Sequence, residues 1–435
     1  MRWSERLDTA QQYAILLVTF SLTLRYNLNT ACIWLLLATW LFSLKFKSTW
    51  RHYAAQPVYW VWAAFFFLNA ASYFWSVDKD RSVFDTVSKL VLVLFPVVLG
   101  AGANICAKRL EQILVAFILT ITATGIFSLV NAALRWQVDG HTSHFFYHDL
   151  VAGQAANAVY TGWYAFTALS AILLGNWNYY FKGYWQVLKW ACAALLMVFL
   201  VLLSSRLLLV VFILLVIPAH LYKLIIHSKR PWVKIVLIIA TASSLVAAFS
   251  LTGNPIEKRY RAVMNRNIHI AFLPEYRDTI PHFNNLTLRL FVWRCGIDNI
   301  KEHNLWLKGC GNGDTHTIQN EKFAALGLNE EYQKKSYNII QGINLHNMYM
   351  EAFVSLGIPG LLLIIAIVFL PFFYLKKSSQ ISFFAAFHIV SLLFMMQESA
   401  LQTQSGIIFW AFFSCLFWQD VKRRGNKTLK MTLNG

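Results

Sequence analysis

The chain reads as an all-α, polytopic membrane protein with about 12 transmembrane helices and one large, mostly helical loop. Three observations carry that reading. Of its 435 residues, 57% are hydrophobic and only 13% charged, more apolar material than a soluble surface can hide. Apolar runs long enough to cross ~30 Å of hydrocarbon recur along the chain. The basic residues, finally, are sorted by side rather than scattered.

Taken in order, the runs predict spans near 10–26, 29–46, 57–76, 86–104, 111–133, 155–174, 187–204, 206–226, 232–252, 347–374, 381–397 and 404–420. Arg25 and Asn27 close the first one early. Only Ser204-Ser205-Arg206 separates the seventh from the eighth, so the pair reads almost as one long helix. The domain organisation follows: residues 1–252 hold helices one to nine, 253–346 a soluble loop, 347–420 helices ten to twelve, and 421–435 a basic tail. The first apolar run lacks a small-residue cleavage site and leads directly into a second run, which argues against a cleavable signal peptide.

Charge then sets the orientation. With the N-terminus inside, the inner segments collect 20 basic residues, whereas the short outer loops hold only Arg25, Lys79, Arg81 and Arg135. Both termini are therefore expected on the cytoplasmic side. The net charge of +18 is explained by topology and contact with membrane lipids, with no nucleic acid required. The loop at 253–346 falls on the outer face, with helices expected at about 286–303 and 329–341. Between them Gly309-Cys310-Gly311-Asn312-Gly313-Asp314 is a turn-rich break.

The candidate functional residues gather at that outer face. His346 stands where the loop re-enters the membrane, followed by Asn347 and, one turn on, by Glu351. Imidazole is the side chain best suited to proton transfer near neutral pH. An isolated histidine at a helix start would be better read as interfacial; its neighbours change the balance. Gly357 and Gly360, further inside, would let neighbouring helices approach closely. Arg206 interrupts an apolar run at the outer end of the seventh span, either snorkelling or serving a ligand. Arg289 and Trp293 lie one turn apart on the first loop helix. Two guanidinium groups and an imidazole on one face suit a lipid diphosphate donor and a hydroxyl acceptor.

These residues resemble the O-antigen ligases and their polymerase-like relatives. The resemblance rests on His346-Asn347 followed by Gly357 and Gly360 after a large outer loop. Arg289-x-x-x-Trp293 before Gly309-x-Gly311-x-Gly313-Asp314, and Ser-Ser-Arg206 at the seventh-to-eighth junction, also look like that family's pattern. By motif it covers residues 200–365. It implies a multi-pass protein of the bacterial inner membrane, its large loop and active site periplasmic. The implied reaction moves a glycan from undecaprenyl diphosphate to the lipid A-core oligosaccharide, inverting the anomeric carbon without a metal or other cofactor. By matched position, His346 would be the catalytic base and Arg206 and Arg289 the diphosphate contacts. Asn347, Trp293 and Glu351 would complete the binding site.

Two relatives of that chemistry stay open: a polymerase, and a protein O-oligosaccharyltransferase using the same donor. A lipid-glycan transporter is the alternative from another class, but neither an internal repeat nor midplane charges support it. Other signals have plainer readings. Asp78-Lys79-Asp80 has a metal-pair spacing, but Lys79 and Arg81 can satisfy both acids. Cys295 and Cys310 share the outer side, and spacing alone does not say whether they are bridged. Tyr147-His148-Asp149-Leu150, before the sixth span, has ligase-like character without an assigned role, and Asn285-Leu286-Thr287 matches a glycosylation sequon.

Overall fold

The computed structural model describes residues 3–154, 157–227, 267–276, 283–328 and 342–433, and every regular element among them is helical. In chain order these are α1 (Trp3–Ser21), α2 (Tyr26–Phe42), α3 (Phe46–Ala54), α4 (Pro57–Ser72) and α5 (Lys79–Ala101). Next come α6 (Ala107–Asp139), α7 (Ala158–Leu174), α8 (Trp185–Leu202) and α9 (Arg206–Leu224). The loop contributes α10 (Asn285–Glu302) and α11 (Thr315–Ala325), and the chain returns through α12 (Met348–Tyr374), α13 (Ile381–Met395) and α14 (Gln404–Leu433).

Five of the described helices, α5, α6, α8, α9 and the one beginning at Met348, are long and apolar enough to cross a membrane. A sixth candidate is the pair α2–α3, bent by 109°. This differs from the twelve spans expected. The expected run at 29–46 turns sharply at residues 43–45, and α4, α7 and α13 fall short of a full crossing length. The expected ninth span, 232–252, and the loop helix at 329–341 lie outside the described residues. The last helix does not stop at residue 420; it continues through the basic tail to Leu433.

The centre of the bundle is α14. Residues 406–418 are buried on every side, as expected of a helix apolar all round. Aromatic rings fill the space about it: Trp163 stacks on Phe394 at 4.4 Å, and Trp62 meets Trp410 at 4.8 Å. Where α5 loosens near Pro96, the Gln419 amide of α14 donates to the carbonyls of Leu99 and Gly100, both at 2.7 Å. These carbonyls are so kept from being buried unpaired.

The Gly357 region is built otherwise than expected. Gly357 does not smooth a helix–helix contact; it breaks α12, with φ 69° and ψ −162°. Loop backbone takes up the groups thus freed: Cys310 N–H donates to Val354 O at 3.0 Å and Gly311 N–H to Ser355 O at 2.9 Å, while Ile358 N–H donates to Trp306 O at 2.7 Å. A Cβ at Gly357 would sit 2.5 Å from the Leu307 carbonyl carbon, in a backbone conformation that side chains rarely adopt.

Beyond this seam the glycine-rich segment docks on the start of α5. Asp314 accepts from the N–H groups of Val77 at 2.7 Å and Asp78 at 2.8 Å, and Asn312 accepts from the Ser82 hydroxyl at 2.5 Å. Gly311, with φ 103°, is forced by proximity: a Cβ there would meet Ser76 Oγ at 2.1 Å. Asp78 in turn caps α5 by accepting from Arg81 N–H at 2.8 Å. Arg81 pairs with Asp85 rather than with the acids beside it. The sequence Asp78-Lys79-Asp80 is therefore a helix start and a docking point. Cys295 and Cys310 are unbridged, and burial pushes both thiols up to about 12. The sequon threonine, Thr287, is buried in a capping box with Asn284 at the start of α10.

Candidate functional site

Several chain segments converge on a cavity of about 280 Å³ at one end of the bundle. The α8–α9 junction supplies Ser204, Ser205 and Arg206, α10 supplies Asn285, Arg289 and Trp293, and the turn after α13 supplies Gln397 and Glu398. Arg206 and Arg289, more than eighty residues apart in sequence, thus line one space, as the sequence suggested.

His346 does not itself line this cavity; it is joined to the wall by a residue that the sequence analysis overlooked. Its Nδ1 lies 3.1 Å from Glu398 Oε2, while Glu398 Oε1 accepts from Arg289 Nη2 at 2.6 Å. One carboxylate therefore links the imidazole to the guanidinium. The Glu398 side chain keeps 10% of its exposure and that of His346 28%, so the carboxylate is sheltered while the ring stays within reach of a substrate. Glu398 is the sole acidic residue between Glu351 and Asp420, in a short link between expected spans. That isolation was the available signal.

The backbone around His346 is pinned at each step. Trp293 Nε1 donates to Leu345 O at 2.9 Å, His346 N–H donates to Asn344 Oδ1 at 3.0 Å, and Asn347 N–H to Ser399 Oγ at 3.3 Å. Those bonds hold His346 at φ 45°, a left-handed conformation costing on the order of 1 kcal/mol for a residue with a side chain. Six non-glycine residues among those described have positive φ; Tyr147 and Ser204, both lining the cavity, are two more of them. Such strain concentrates where geometry serves function.

The other expected residues take supporting positions. Asn347 caps α12, its Oδ1 accepting from Tyr349 N–H at 3.0 Å and Met350 N–H at 3.1 Å. Glu351, 2% exposed, does not line the cavity; it accepts from Leu345 N–H at 3.1 Å and from the Ser399 hydroxyl at 3.3 Å. Trp293 does line the cavity but spends its indole N–H on the loop. The Nε–Nη2 edge of Arg289 is engaged too, with Nε donating to Gln397 O at 3.2 Å. Among the described residues, no three His, Cys, Asp or Glu side chains group as metal ligands.

The model of the O-antigen ligase family matches residues 191–365. That stretch is similar to the O-antigen ligase domain. It contains Arg206, Arg289, Trp293 and His346, whereas Glu398 lies beyond it. No curated protein matches the chain. The O-antigen ligase family gathers glycosyltransferase-like membrane enzymes, whose partners are in general lipid-linked glycans and lipid-type acceptors. The helices long and apolar enough to cross a membrane agree with that similarity.

Proposed function

We propose that the protein is an O-antigen ligase of the bacterial inner membrane, transferring a glycan from undecaprenyl diphosphate to the lipid A-core oligosaccharide on the periplasmic face. The observation that carries this reading is the Arg289–Glu398–His346 chain beside a cavity that Arg206 also lines. Glu398 accepts a hydrogen bond from Nδ1–H of His346, which leaves the Nε2 lone pair for the substrate. The acceptor hydroxyl gives its proton to Nε2 as its oxygen forms a bond to the anomeric carbon. The bond from that carbon to the phosphate oxygen breaks, and its electron pair leaves with the diphosphate. Attack opposite the leaving group inverts the anomeric centre.

A diphosphate already leaves readily, so orientation and charge neutralisation are the main demands. Arg206 and the remaining donors of Arg289 meet the second demand. Among the described residues that line the cavity, these two guanidinium groups stand with one carboxylate, Glu398, a lining suited to an anionic donor. The protein groups assigned to neutralise charge are arginines, and the reaction is accordingly written as metal-independent.

The acceptor is tested in cells lacking the gene. Free lipid A-core together with accumulated lipid-linked polymer is the expected phenotype. Short unpolymerised units would assign polymerisation instead, and loss of glycoprotein alone would assign transfer to protein.

A further inference from the structure

A cavity of about 800 Å³ lies at the opposite end of the bundle from the candidate site. Helix α7 shows the separation: Val159, near its start, lines the site, and Leu173, near its end, lines this second space. Lys189, His220, Lys223, Arg423 and Arg424 surround the cavity, with Glu111 the one carboxylate among the described residues of its wall. Glu111 is already committed, accepting from the N–H groups of Asn178 at 2.9 Å and Tyr179 at 2.8 Å. Asp420, close by, pairs with Arg423. Among the described residues, two arginines and two lysines against these two acids leave a surplus of basic groups.

The basic groups are not equivalent. Lys223 closes the end of α7, donating to Leu174 O at 3.0 Å, Gly175 O at 2.9 Å and Asn176 Oδ1 at 2.7 Å. Lys189 has only the face of Trp190, 5.1 Å from its ammonium, and no carboxylate partner among the described residues. It is the cation positioned to meet a ligand. Trp190 and Tyr179 line the cavity and are about half exposed, and Trp185 at the start of α8 is equally so. Indole and phenol rings of that kind mark the level of lipid headgroups.

We infer that this cavity binds the phosphate headgroup of one anionic glycerophospholipid, in the leaflet opposite the site of transfer. Basic pockets between membrane helices on that side recognise such headgroups by charge. The inference does not depend on the proposed reaction, and its test reads lipid binding rather than transfer.

Full-length protein in neutral detergent is mixed with equimolar phosphatidylglycerol and phosphatidylcholine and the retained lipid is counted by native mass spectrometry. One phosphatidylglycerol per chain is expected, in preference to phosphatidylcholine. Lys189→Gln should reduce that retention about fivefold and Lys189→Arg should restore it, both with an unchanged Tm in phosphatidylcholine. Equal retention of the two lipids, or full retention by Lys189→Gln, would overturn the site. Displacement of the lipid by millimolar inorganic phosphate would overturn its assignment to a headgroup, leaving a soluble anion as occupant.

Discussion

Nδ1 of His346 lies 3.1 Å from Oε2 of Glu398, although 52 residues separate them. The contact joins the loop's re-entry point to the turn between α13 and α14. It engages Nδ1 of the imidazole and so leaves Nε2 outside that contact, and Arg289 fixes the carboxylate in turn.

Glu398→Gln should preserve the shape of the cavity while removing the charge that orients His346. The expected result is a fall in kcat of about tenfold to a hundredfold with little change in donor KM, since proton transfer contributes up to ~10⁴-fold when fully effective. Steady-state kinetics separate the two parameters. An equal loss of kcat in a double variant with His346 already replaced would show that Glu398 acts independently of the imidazole.

Arg206→Lys and Arg289→Lys keep the charge and lose the planar fork. Each should weaken donor binding by about tenfold, the loss of one charge-assisted hydrogen bond. Titration with a lipid diphosphate analogue measures it. Silence at both positions would remove the arginine pair from the donor site.

Much of this arrangement was legible in the sequence, and the reason is local. Arg206, Arg289 and His346 interrupt apolar or helical patterns at places where charge needs an explanation. The extent of α10 was also readable, because its apolar residues fall on a broad helical face; the observed helix, Asn285–Glu302, begins at a cap formed by Asn284 and Thr287. Glu398 was missed because its partners come from distant segments and no spacing rule connects them. Asp314 was read as part of a turn for a similar reason: its acceptors' partners, the N–H groups of Val77 and Asp78, lie 237 and 236 residues away. Gly357 was read as a helix-packing glycine because pattern alone does not reveal a positive φ. Hydropathy also does not reveal where the backbone bends, as between α2 and α3 at the end of the expected span 29–46.

Asp314→Ala should detach the glycine-rich segment from the start of α5. Two backbone N–H groups would lose the charged acceptor that binds them, a cost of about 2 kcal/mol. A lower Tm in detergent is expected, together with faster proteolysis between α10 and α12. Unchanged values for both would show that the docking bonds contribute little.

Chelation provides a separate check. Asp78 is committed to capping α5 and Asp314 to backbone N–H groups, so the acids of this region already have structural duties. Transfer by purified enzyme should persist in excess EDTA, and Asp78→Asn with Asp80→Asn should be tolerated. Activity lost on chelation and restored by magnesium or manganese would contradict the arginine-based account.

The most direct test is the turnover of His346→Ala in nanodiscs containing lipid-linked glycan donor and lipid A-core acceptor. Transfer should fall at least about a hundredfold, while donor binding and membrane insertion match the wild type. A variant that keeps near-normal turnover would remove His346 as the base and with it the mechanism proposed for this site.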